Sequence, residues 1–168
     1  MASRGKTLGL FFAMYAWFEV WFYVTHRLMH RPALRALHAH HHVSRVTGPL
    51  TSLSFSLSER AAYQLGILLG FAAIGPLTPV PAATSLLFFV VTYALNVLIH
   101  SNGELLPARV LRGPLRWVLD TATFHAMHHA RGSRHYGFTT AILDHVLGTA
   151  WADYPPAVPE ARDPDPAR

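Results

Sequence analysis

The chain has 168 residues, of which 51% are hydrophobic and 14% charged, with a formal net charge of +5. That charged share is well below the usual quarter and points to a membrane protein. The arginines flank apolar runs instead of forming a basic stripe, which argues against nucleic acid. There is no cysteine, so disulfides, thiolate metal sites and cysteine nucleophiles are excluded together, and metal chemistry must rest on histidine and carboxylate.

The first apolar run, "LGLFFAMYAWFEVWFYV" from Leu8 to Val24, is broken only by Glu19. It is at the short end for a bilayer span, with tryptophans and tyrosines suited to an interface. Arg4 and Lys6 ahead of it would also suit a signal peptide, but no small-residue cleavage site follows. A polar, arginine-bearing stretch from His26 to Arg60 precedes "AAYQLGILLGFAAIG", the turn "PLTPVP" and "AATSLLFFVVTYALNVLI", which ends at His100. Two apolar segments around a proline-punctuated turn predict a helical hairpin, giving three membrane helices in all.

Arg27, Arg31, Arg35, Arg45 and Arg60 share one side of this topology with Arg109, Arg112, Arg116, Arg131 and Arg134, against Arg4 and Lys6 opposite. By the positive-inside rule that side is cytoplasmic. The segment "LPARVLRGPLRWVLDTAT" spaces its arginines as an amphipathic helix, interfacial or soluble. Residues 152–168, rich in proline, are expected to be a disordered tail. The resulting expectation is an all-α integral membrane bundle over 1–151, with a cytoplasmic histidine-rich helical cap.

Twelve histidines are present, most of them clustered. His26 and His30 are four apart, while His38, His41, His42 and His125, His128, His129 each follow an i, i+3, i+4 pattern, so each triplet should occupy one helix face. With His100 they make nine, more than one metal uses, and imidazole suits iron, zinc, copper or nickel. The pattern therefore favours two metals. His40 and His145 are expected to be bystanders. Glu19 lies two turns before His26 on the same face, where it could accept a ring N–H from a ligand histidine, because an acid in an apolar helix normally has a partner.

Quoted in order, "HRLMH", "HAHHH", "IHSN", "HAMHH", "HYG" and "LDHVLGT" resemble the fatty acid hydroxylase superfamily, also called the sterol desaturase family, of membrane non-haem di-iron oxidoreductases. The likeness runs from Glu19 to about Trp151 and looks strongest to the sterol-desaturase branch. It implies two irons, replaceable by zinc, held by His26, His30, His38, His41, His42, His100, His125, His128 and His129. His135, where asparagine is common, is a candidate tenth ligand. Glu19, Asn102 and Asp144 are implied as residues supporting the ligands. The implied activity is O₂-dependent hydroxylation or desaturation of a lipid C–H bond. Electrons would come from a separate donor, a ferredoxin or cytochrome b5-like protein, and a homo-oligomer is compatible with this reading. Trp117 and Tyr136 are expected at the lipid entrance. Competing readings are a carotenoid hydroxylase-like enzyme, whose first box is usually wider, and a non-catalytic histidine-rich metal-binding membrane protein, whose ligands would be needed at mid-membrane.

Overall fold

The computed structural model describes residues 3–154, Asn102 excepted. Among them the chain is all-helical, with seven α-helices and a single isolated bridge between Leu119 and Thr140. The long helices are α1 (Arg4–Met29), α3 (Leu57–Ile74) and α4 (Ala82–Ile99). Between α1 and α3 lie α2 (Arg35–His38) and two 3₁₀ turns, His41–Val43 and Pro49–Leu53. After α4 come α5 (Ala108–Arg112), a 3₁₀ turn at Pro114–Trp117, α6 (Ala122–Arg131) and α7 (Ile142–Val146).

Helix α1 begins where the Ser3 side chain accepts from the Lys6 N–H, and both α3 and α4 pack against it. Their shared core is aromatic: Phe11, Phe18, Phe22, Tyr63, Phe88 and Phe138, with Met14 completely buried. Close approach of α3 to α1 depends on two glycines. Trp21 lies directly over Gly66, so that a Cβ there would collide with the indole, and Trp17 covers Gly70 in the same way. The indole N–H of Trp17 donates to Gly66 O at 2.8 Å, and that of Trp21 to Ala62 O at 2.9 Å. These bonds give the buried ends of two large apolar groups the partners they need.

Helices α1 and α4 are long and apolar enough to cross a membrane. Helix α3 has the same length as α4 but opens with Ser58, Glu59 and Arg60. Beyond that turn it exposes Leu65, Leu68 and Leu69, as α1 exposes Phe12, Val20 and Val24 and α4 exposes Leu86, Phe89 and Val90. Such a continuous apolar exterior is rare on proteins surrounded by water.

Two expectations need correction. The segment expected as one amphipathic helix from Leu106 onward is divided, because Pro114 cannot continue α5 past Gly113. The boundary of the tail also moves: Tyr154 is buried against Phe124, its hydroxyl 3.0 Å from the Thr121 hydroxyl. The remainder of that tail, 155–168, lies outside the described residues.

Glu19 anchors the far end of the chain to α1. Its carboxylate accepts from the Thr139 N–H at 3.1 Å, the Thr140 N–H at 3.2 Å and the Thr140 hydroxyl at 3.0 Å, and also from the Thr139 hydroxyl. The loop after α6 is thereby tied across the bundle, beside the histidines at the ends of α1 and α4.

Candidate metal centre

All nine box histidines converge in two neighbouring groups. His26, His30, His38, His42 and His128 form one, and His41, His100, His125 and His129 form the other, with the potential ligand atoms of each group within 4.8 Å of one another. Each triplet is divided. His38 and His42 go to the first group and His41 to the second, because helix α2 ends at His38 and the chain re-enters a 3₁₀ turn at His41. On α6, His128 points to the first group while His125 and His129 point to the second. The expectation that each triplet serves one side is thus corrected: adjacent residues on a helix are about 100° apart, enough to address two sites.

The rings are held from behind. The Nδ1–H groups donate to backbone carbonyls: His26 to Tyr136 at 2.9 Å, His41 to Ser54 at 3.3 Å, His100 to Asn96 at 2.8 Å, His128 to Arg134 at 2.6 Å and His129 to Ser44 at 3.0 Å. His38 donates to the Glu59 carboxylate at 2.6 Å. With the proton on Nδ1, each Nε2 presents a lone pair. These atoms nevertheless face one another: His26 and His38 at 3.0 Å, His38 and His42 at 2.9 Å, His42 and His128 at 3.1 Å, and His100 and His125 at 3.0 Å. Lone pairs at this range repel unless a cation lies between them. Metal–nitrogen bonds of about 2.1 Å place neighbouring ligands roughly 3.0–3.4 Å apart, so the donor sets fit metal ions. The buried Nε2 of His129 has no partner in the protein, as expected of a ligand atom.

Burial keeps these imidazoles neutral and therefore able to bind metal. Desolvation lowers the pKa of His30 and His100 to about 4, that of His42 to about 3 and that of His41 to about 2. His125 and His128 are pushed well down, first by burial and then by neighbouring imidazoles.

The surrounding residues differ from the expected set. Glu19 touches no histidine; its partners are Thr139 and Thr140. Seven residues along a helix is about 10.5 Å, too far for a carboxylate to reach the His26 ring. The carboxylate that does this is Glu59, fully buried and missed in the sequence, where "SLSE" reads as a helix cap. Asp144 acts one step further out. It accepts from the Tyr136 N–H at 2.8 Å, the Gly137 N–H at 2.7 Å and the Thr149 hydroxyl at 2.6 Å, fixing the loop whose Tyr136 carbonyl holds His26. Asn102 lies outside the described residues.

His135 is absent from both groups. Its Nδ1–H donates to Phe124 O at 2.8 Å, its Nε2 accepts from the Trp151 N–H at 2.8 Å, and its ring stacks on Phe124 at 3.5 Å. With φ at 62°, it occupies the left-handed region that asparagine tolerates best among non-glycine residues. His40 is exposed, and His145 lies against Trp117, its Nε2 3.3 Å from Arg116 O. Tyr136 is buried with its ring 5.3 Å from that of His30, whereas Trp117 is half-exposed.

A further buried acid was missed. Both oxygens of Asp120 and the Nδ1 of His125 lack hydrogen-bond partners, although Oδ2 lies only 3.9 Å from that nitrogen.

Residues 11–149 match the family described as fatty acid hydroxylase. The chain belongs to the fatty acid hydroxylase family. Among curated relatives of this family member, the very-long-chain aldehyde decarbonylase GL1-6 of Oryza sativa subsp. indica is 31% identical over 134 residues, covering 78% of this chain and 21% of that protein. Protein CER1-like 1 of Arabidopsis thaliana is 32% identical over 136 residues, with the same coverage. The very-long-chain aldehyde decarbonylase CER1 of Arabidopsis thaliana is 30% identical over 139 residues, again 78% and 21%. The chain thus spans about a fifth of the length of these relatives. No solved structure matches. Family membership makes it a relative of lipid-modifying enzymes, and its two imidazole groups are where metal would be held.

Proposed function

We propose that this protein is an O₂-dependent membrane oxidoreductase that hydroxylates or desaturates a lipid C–H bond at a pair of irons. The supporting observation is the convergence of nine imidazoles in two adjacent groups, six of them fixed by hydrogen bonds at Nδ1. His26, His30, His38, His42 and His128 would hold one iron, and His41, His100, His125 and His129 the other. Bound iron supplies the redox chemistry that activates O₂. The protein's part is to keep the imidazoles neutral, fix their tautomers and shield the site from water behind Phe22, Phe55 and Phe138. Zinc would fit the same donors without that chemistry. An all-imidazole set brings no negative charge to the metals, and electrons would arrive from a separate protein donor such as a ferredoxin or a cytochrome b5-like protein.

The relatives' names favour a second reading of the substrate, a long-chain aldehyde, at the same centre. Measuring iron in the purified protein, then profiling lipids in cells expressing the wild type or His128→Ala, tests both. Oxidised lipid products that require His128 support the first reading, and shortened hydrocarbons derived from aldehydes support the second. Protein active in O₂ consumption without transition metal would defeat both.

The topology we infer has α1, α3 and α4 crossing the membrane with the histidines on the cytoplasmic side, on the distribution of arginines. Cysteines introduced at Ser44 and Ser133 should resist an impermeant reagent added outside cells, while one at Thr78 should react. Labelling of Ser44 and Ser133 from opposite faces would refute that arrangement.

A further inference from the structure

Beside the four-imidazole group lies a cavity of about 300 Å³ whose walls include Tyr15, Leu95, Leu98, Leu105, Asp120 and Thr139. Its polar lining is almost entirely spoken for. The hydroxyls of Tyr15 and Thr139 bond to each other, Thr140 bonds to Glu19, Thr121 to Tyr154, and Glu104 accepts from the N–H groups of Leu106 and Thr123. Asp120 is the exception: its side chain is completely buried and neither oxygen has a partner.

The carboxyl is nonetheless firmly placed. The Asp120 N–H donates to Thr139 O at 3.0 Å, and the next residue, Thr121, caps α6 by accepting from the Phe124 N–H at 3.2 Å. Leaving a buried carboxyl unpaired is costly, and a rigid one in an apolar cavity is what a ligand's polar group requires. The cavity also adjoins the metal centre, since Ile99 lines it immediately before His100 and Asp120 Oδ2 faces His125. Its volume is at the lower limit for small-molecule sites and suits the end of one chain better than a fused-ring nucleus. Exposed Leu98 and Leu105 continue the apolar surface outward.

We propose that this cavity receives the hydroxyl-bearing end of a single-chain lipid alcohol, with Asp120 accepting the hydrogen bond from that hydroxyl. The idea rests on the lipid-oxidising function proposed above and gives it a substrate class. In this arrangement Oδ2 remains on the His125 side and Oδ1 is available to the ligand, so that the oxygenated carbon is delivered next to the four-imidazole group.

The test uses the full chain, zinc-loaded in nanodiscs, and measures the partition of radiolabelled dodecanol and dodecane relative to empty nanodiscs. The wild type should favour dodecanol by about tenfold, as expected for one buried hydrogen bond to a carboxyl. Asp120→Leu should abolish this preference while dodecane binding persists. Leu98→Trp, which keeps the carboxyl but fills the mouth of the cavity, should weaken both ligands. Equal binding of the two by the wild type, as when water serves the carboxyl, or an undiminished preference in Asp120→Leu, would overturn the proposal. Bound zinc is counted in each sample: alcohol preference absent with zinc retained refutes this inference alone. Preference present in a wild type that retains no zinc instead refutes the metal centre and leaves the cavity assignment standing.

Discussion

Glu59→Gln isolates the contribution of one buried carboxylate to one of the two centres. Glu59 accepts from His38 Nδ1 at 2.6 Å, and both side chains are essentially inaccessible to solvent. His38 Nε2 is in turn 3.0 Å from His26 Nε2 and 2.9 Å from His42 Nε2, so His38 is central to the five-imidazole group and remote from the other. Glutamine preserves size and an acceptor oxygen but removes the charge that makes the imidazole a stronger donor to metal. Its amide would also occupy the place of Oε2, where no acceptor awaits it. Loss of such a supporting partner typically lowers metal affinity by about 10–100-fold, or roughly 1.4–2.7 kcal/mol. Chelator competition on the purified protein, followed by metal analysis, should therefore show one weakened and one unaltered ion per chain. Glu59→Ala should weaken the same ion further, since the His38 ring would lose its only fixed orientation. Equal weakening of both ions, or no change in either, would refute the assignment of Glu59 to a single centre.

The division of the boxes makes a sharper demand on neighbouring residues: His128→Ala and His129→Ala should each retain about one metal per chain, from different centres, and together should retain none. Metal analysis of the two single variants and the double variant decides this, and identical loss of both ions in either single variant would contradict it. His135→Asn should keep full metal content and near-normal thermal stability, whereas His135→Val, β-branched at φ 62°, should lose roughly 1–3 kcal/mol in a denaturant titration without losing a ligand. In the metal-free protein, His30, His42 and His100 titrate far below the ordinary value of 6.5, so the unfolded chain binds more protons once the pH drops below about 6.5. Stability is therefore full above that pH and falls as the pH is lowered toward 4, by about 1.4 kcal/mol per pH unit for each such histidine; a melting temperature flat between pH 7 and 5 would be inconsistent with neutral buried rings.

Periodicity was sufficient to find the nine histidines and the long helices, because spacing on a helix and length of an apolar run are local properties. Partition of the histidines between centres was not legible. It depends on helix α2 stopping after His38 and on a short 3₁₀ turn, neither of which is strongly marked in "RALHAHHHV". Glu19 shows the same limit from another direction, for a shared helix face specifies an azimuth and says nothing of axial reach. Glu59 belongs to a segment far from the boxes in sequence, and its capping-like context concealed a side chain directed at His38. Asp120 left no local signal at all, since its significance comes from the pairing of every other polar group around it.

Both centres draw on the 38–42 segment and on α6, with α1 completing one and His100 the other. Occupation of the first would therefore clamp the segment and α6 together and hold His41, His125 and His129 in register for the second ion before it arrives. The entropy of ordering those side chains would already have been spent, making the second association tighter than it would be on an empty protein. Interlacing thus converts two ligand sets into a sequential assembly, in which half-filled molecules are scarce and maturation of the cofactor is close to all-or-none.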